Sequence, residues 1–166
     1  MQLRFFLFLI ALMIPALHYG QSQKVSLKAL QAEVTDGKPI MYKKGGAYFT
    51  GTASQYYPAE GVTMDYYIED GYVSRMVSWK DSGSLERDFH YRKGVLHGKV
   101  TGYFDNGQKY YEDNYENGLR QGIQHGWFSD GTIRLKSEFI NGFEIMRFEF
   151  NPPKGVLALP AKLSGC

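Results

Sequence analysis

The sequence predicts an all-β fold: a single antiparallel meander sheet of repeated β-hairpins, preceded by a signal peptide. Three observations carry that expectation. Tyr91, Tyr115 and Phe139 recur at a step of 24 residues, and Gly94, Gly118 and Gly142 keep the same step. Each unit holds turn dipeptides such as Asn106-Gly107 and Asn117-Gly118, strong hairpin signals because the tightest turns need positive φ at both central positions. After Tyr42 no segment shows a sustained helical period, and an aromatic share of 16% suits a pleated, half-buried surface.

Residues 1–22 form a separate class of segment. Arg4 gives a positive start, Phe5 to Leu17 is almost wholly apolar, and the polar run Gly20-Gln21-Ser22-Gln23 follows. This pattern reads as a secretory signal, the apolar run being too short for a comfortable membrane span; an uncleaved anchor is the alternative. The expected location is therefore exported, in the periplasm or at the surface or outside of a bacterial cell. Cys166 is the single cysteine of 166 residues, so an internal disulfide is excluded and stability must come from packing.

Residues 24–41 read as a lead-in or cap, in which Val25, Leu27, Leu30 and Val34 line one side of a short helix or an irregular extended segment. Asp36-Gly37-Lys38-Pro39 is turn chemistry. The hairpin repeats occupy 42–150, about four units once the pattern is followed back through Tyr67 to Tyr42. In the clearest copy Gly98 to Asp105 and Gln108 to Glu116 are each long enough for one strand. Gly98, Gly102, Gly122 and Gly126 fall within strands, where the expected reason for glycine is room for a neighbouring aromatic ring. Met146, Phe148 and Phe150 alternate as a closing strand, Pro152 and Pro153 stop it, and 151–166 is an apolar tail suited to cap the array.

Adjacent residues of a strand point to opposite faces. The repeat register therefore stacks Tyr56, Trp79, Tyr103 and Trp127 on one face and Tyr57, Lys80, Phe104 and Phe128 on the other. A single sheet hides only one stripe. Lys80 marks the second face as the wetter one, whereas Phe104 and Phe128 argue the reverse, so the choice of open face stays undecided by sequence.

The runs His97-Gly98-Lys99-Val100-Thr101-Gly102-Tyr103-Phe104-Asp105-Asn106-Gly107 and Tyr115-Glu116-Asn117-Gly118 resemble the MORN repeat, in its bacterial variant with a tyrosine pair before an Asn-Gly turn. The resemblance covers about residues 27–142. It implies an antiparallel meander without catalytic residues, and proteins of this kind are grouped as antitoxin-like or associated with scaffolding and phospholipid contact. An export signal departs from a cytoplasmic antitoxin.

A formal charge of +2 with basic and acidic residues interspersed argues against nucleic acid, which calls for a basic stripe. His90, His97 and His125 lack ligand spacing to a cysteine or carboxylate, so no metal and no cofactor is expected. No nucleophile elbow or phosphate-cradling glycine loop is present. The acids Glu112, Asp113 and Glu116, or Asp65, Glu69 and Asp70, read as solvated residues near turns. The resulting expectation is a non-enzymatic module that binds a protein partner through Tyr56, Trp79, Tyr103 and Trp127. A membrane-surface module using Lys43, Lys44 and Tyr48, or a carbohydrate binder, is the alternative, and the oligomeric state is left open.

Overall fold

The computed structural model describes residues 24–151. The signal segment and the tail from Pro152 onward lie outside the described residues. Fourteen strands form one sheet: β1 (Lys24–Ser26), β2 (Gln31–Glu33), β3 (Met41–Lys44), β4 (Ala47–Tyr48), β5 (Gly51–Tyr57), β6 (Val62–Glu69), β7 (Tyr72–Lys80), β8 (Leu85–Arg92), β9 (Val95–Tyr103), β10 (Lys109–Glu116), β11 (Leu119–Arg120), β12 (Gly122–Trp127), β13 (Ile133–Ile140) and β14 (Phe143–Glu149). From β5 to β14 each long strand pairs antiparallel with the next, β10 passing to β12 with the short β11 alongside. The expected meander of hairpins is the observed architecture.

Three kinds of turn close the hairpins from β5 onward, the two-residue kind at one end of the strands and the longer kinds at the other. Asp70-Gly71, Lys93-Gly94, Asn117-Gly118 and Asn141-Gly142 are two-residue turns with positive φ at both positions, 49 to 51° and then 74 to 85°, the geometry that matches strand twist. At the other end residues 58–61 are a four-residue turn, and 81–83, 105–107 and 129–131 are three-residue turns. There Phe104 N–H donates to Gln108 O at 2.8 Å and Gly107 N–H to Phe104 O at 2.9 Å, and only the glycine is left-handed. Asn106-Gly107 is thus not the two-residue turn its dipeptide suggests, because the bonded pair that frames it is one residue wider.

The tight turns also lock unit to unit. Gly94 N–H donates to Val73 O at 3.2 Å, Gly118 to Leu96 O at 2.8 Å and Gly142 to Arg120 O at 2.9 Å. Each acceptor lies two residues past the preceding turn, so the repeat step is written into the hydrogen bonding. His97 joins this system, its Nδ1 accepting from Asn117 N–H at 3.4 Å, and Gln121 Oε1 serves Asn141 N–H in the next unit at 2.8 Å.

The lead-in takes the irregular extended form, the second of the two expected, broken by one 3-10 turn. β1 runs parallel to β5, a single 3-10 turn spans Leu27–Ala29, and β2, β3 and β4 make a small meander that touches β7 through Met41 and Tyr72. Leu30, Phe49, Ala53 and Ile68 form the hydrophobic cluster there, with Val25, Leu27, Tyr42, Tyr66 and Val73 packed against it. Val34 does not join them; it is exposed. Further along, Val77, Val100, Phe128 and Phe139 are buried, and the Arg120 guanidinium lies 5.2 Å from the Phe139 ring centroid; long side chains on adjacent strands are one means by which a one-layer sheet removes apolar area from water.

The strand glycines answer to two needs. An added Cβ at Gly102 would stand 2.2 Å from Tyr111 Cε1, so that ring does lie across bare backbone. At Gly126 the neighbours are Arg134 and Leu135, and Gly98 and Gly122 are instead required by positive φ of 92° and 73°.

Candidate functional site

Register places the four sequence-selected aromatics on one face. Tyr56 pairs with Thr63, Thr63 with Trp79, and Trp79 with Leu85. Val77, two residues before Trp79, pairs with Asp88 and through it with Thr101, two residues before Tyr103. Thr101 continues through Glu112 to His125, two residues before Trp127. The four therefore form a row beside the longer turns, successive members two strands, or about 10 Å, apart.

This face is opposite the hydrophobic cluster. Ala53 pairs with Tyr66, one step out of phase with the Ser54–Asp65 pair that shares the aromatic row's face. On the clustered side burial raises the hydroxyl pKa of Tyr42, Tyr66, Tyr91 and Tyr111 above the ordinary phenol, with Tyr57 adding to the effect at Tyr66 through its hydrogen bond. Phe128 of the second stripe is 7% exposed. On the row's side Tyr56 is 48% exposed, and its raised pKa comes first from the charge of Asp81, whose carboxylate accepts its hydroxyl at 3.3 Å. Trp79, Tyr103 and Trp127 are half-buried. Trp79 Nε1 is shielded and meets no acceptor.

At Trp127 the row acquires polar neighbours. His125 stacks on the indole with centroids 5.6 Å apart and planes 26° off parallel, and Lys109 Nζ stands 5.9 Å from its centroid. Gln108, Lys109, Trp127 and Gly131 line a shallow notch of about 280 Å³ between two turns.

Sequence reasoning missed a second row. Asp65, Asp88 and Glu112 share the aromatic face, one residue pair further from the turns, and they are not solvated surface: Asp65 and Asp88 are 7% and 8% exposed. Lys24 Nζ lies 2.9 Å from Asp65 and Ser54 Oγ donates to it at 2.7 Å; Arg75 binds Asp88 through two bonds of 2.8 Å. Glu112 takes Lys99 at 2.8 Å and also Lys109. Burial alone would raise the Glu112 pKa, but hydrogen bonds from Lys109 and Lys99 hold it below the usual range. The signal was available, since these acids step by 23 and 24 residues as the aromatics do, and the next member is Lys136. Asp113, on the opposite face, is the converse case: burial raises its pKa and Arg120, 3.6 Å away, only partly offsets this.

Each carboxylate of the row is held in an ion pair, an arrangement that orders the sheet face more than it poises an acid or base. Among the described residues no group of three or more His, Cys, Asp or Glu side chains converges as a metal site.

No family model matches this chain, and no curated protein matches it. Among solved structures, a mutant of S. aureus TarM in complex with fondaparinux, alpha-GlcNAc-glycerol and UDP is similar over 71% of this chain at 12% identity, with a TM-score of 0.32. The chain spans 21% of that structure's length, and a likeness so distant carries no argument.

Proposed function

We propose that this chain is an exported, non-enzymatic interaction module of MORN-like repeats that binds a protein partner through the face bearing Tyr56, Trp79, Tyr103 and Trp127. The observation that carries the reading is that these four rings share one face while the hydrophobic cluster and the buried tyrosines occupy the other. Half-buried tryptophan and tyrosine on a surface are the residue types that dominate protein recognition energetics. The ion-paired row beside them supplies a rigid, hydrogen-bonded support. The MORN resemblance supports an antitoxin-like or immunity-like role for the chain itself, with a protein as its partner.

The test is the Tyr103→Ser, Trp127→Ser double variant. It is expected to retain the β circular dichroism spectrum and a cooperative melt while losing partner capture by chemical cross-linking. An unfolded double variant would make the row structural and sink the reading; a folded variant with undiminished capture would do the same. Flotation with anionic vesicles at low salt and a glycan array separate the membrane and carbohydrate alternatives, each of which predicts binding by the wild-type chain in the absence of any protein.

A further inference from the structure

Among the described residues, β14 pairs with β13 alone and forms the far edge of the sheet. Edge strands are ordinarily short, bulged or protected by charge, because their unpaired N–H and C=O groups template another strand. β14 is bulged at Ile145 and carries Glu144, Arg147 and Glu149, but past the bulge it pairs regularly from Met146 onward, and there Phe148 and Phe150 are exposed, Phe148 at 52%. We propose that this edge pairs antiparallel with β14 of a second copy of the chain, about a twofold axis through Phe148.

The register follows from hydrogen-bond direction and chemistry. Phe150 N–H donates to Arg134 O at 2.9 Å, so Phe150, Phe148 and Met146 spend their backbone groups on β13 while Glu149 and Arg147 direct theirs outward. A twofold axis normal to the sheet keeps each face on its own side, so residues pair only with residues of the same parity. Centring the axis on Met146 would set Arg147 against the bulged Ile145 and leave Glu149 without a charged partner. An axis on Arg147 would oppose like charges, and an axis on Glu149 would do so again. Centring on Phe148 instead puts Arg147 against Glu149 of the second copy twice, Met146 against Phe150 twice, and Phe148 against itself. From Met146 to Phe150 charge meets countercharge and apolar meets apolar, and the bonded pairs are those whose groups already point outward. Arg147 now turns on its own Glu149, at 2.6 Å, and Glu144, at 3.3 Å, so it is already aligned along this edge. Pro152 and Pro153, which cannot donate, end the paired stretch.

The consequence is a dimer with one continuous sheet that closes at two copies, since an isologous pairing uses up the β14 edge of both at once. Both aromatic rows then lie on the same side of the sheet.

Sedimentation velocity of the chain at micromolar concentration is expected to show twice the mass of one chain. Arg147→Glu should raise the dimer dissociation constant roughly tenfold, since two attractive cross-strand pairs become repulsive. Glu149→Arg should do the same, and the double exchange R147E/E149R should restore the dimer. In a Cys166→Ser background, Phe148→Cys should oxidise to a disulfide-linked dimer, because a non-bonded antiparallel pair holds Cα atoms about 4.5 Å apart; Met146→Cys should not. A monomer at every concentration, including one whose own residues 152–166 occupy the edge, overturns the proposal. So does a charge exchange that fails to restore association, or equal cross-linking at positions 146 and 148.

Discussion

Replacing Gly102 with alanine isolates the contact that holds Tyr111 across the sheet. Gly102 and Gly126 flank Tyr111 on the two neighbouring strands, and the ring lies over Gly102. Gly102 is not left-handed, so its backbone accepts alanine without strain. The new Cβ, however, would meet Tyr111 Cε1 at 2.2 Å, Cδ1 at 2.7 Å and Cζ at 3.0 Å. The ring must leave, giving up part of its burial, which costs about 2 to 3 kcal/mol and lowers Tm by roughly 6 to 10 °C. Denaturant unfolding of Gly102→Ala, Tyr111→Ala and the double variant closes a double-mutant cycle. In the Tyr111→Ala background the added methyl should cost under about 0.5 kcal/mol, because nothing remains for it to strike. Gly126→Ala, which meets the flexible Arg134 at 3.1 Å and Leu135 Cβ at 3.2 Å, should cost about 1 kcal/mol, less than Gly102→Ala. An unchanged Tm for Gly102→Ala, or an equal cost with and without Tyr111, would refute the packing described here.

Asn117→Ala in the two-residue turn should lose about 1 kcal/mol by denaturant titration, because alanine resists the left-handed φ of 50°, whereas Asn106→Ala should lose less. Glu112 and Asp113 should respond oppositely to pH. The Glu112 pKa is lowered on folding, so its contribution is full above 4.5 and is lost as pH falls through the folded value; Glu112→Gln therefore lowers Tm at neutral pH and has no effect in acid. The Asp113 pKa is raised from 3.8, so its ionised form carries a penalty above the folded value that fades below it; Asp113→Asn should raise Tm at neutral pH only. Excising Tyr91 to Asn114 should leave a shorter sheet with intact β circular dichroism and a cooperative melt. In that sheet Gly118 N–H takes Val73 O in place of Leu96 O.

The repeat was legible because one structural unit must present the same turn and the same face each time it recurs. The step of 24 residues therefore appears in the glycines, the aromatics and the inter-unit hydrogen bonds alike. Turn type was only half legible: Asn106-Gly107 and Asn117-Gly118 read identically, and the width of the bonded pair around each dipeptide, a tertiary property, separates them. The lead-in was legible only as two alternatives, since three residues pairing parallel to β5 leave no periodicity, and apolar Val34 looks like core until the chain path shows it facing water. Alternation alone suffices to put the four aromatics on one face. Which face was covered depended on where Leu30 and Phe49 pack, and their covering segment bears no repeat signature. Asp65 reads as solvated from the sequence because its shielding comes from distant residues, Lys24 and Ser54 among them.

The central claim is that partner contact occurs on the face of Tyr103 and not on the face of Tyr57. Placing the photo-cross-linker p-benzoylphenylalanine at position 103 in one chain and at position 57 in another, in the producing cell, reads this directly. An adduct with another protein formed from position 103 and absent from position 57 is the predicted result. Adducts from position 57 alone, or from both positions equally, would contradict it.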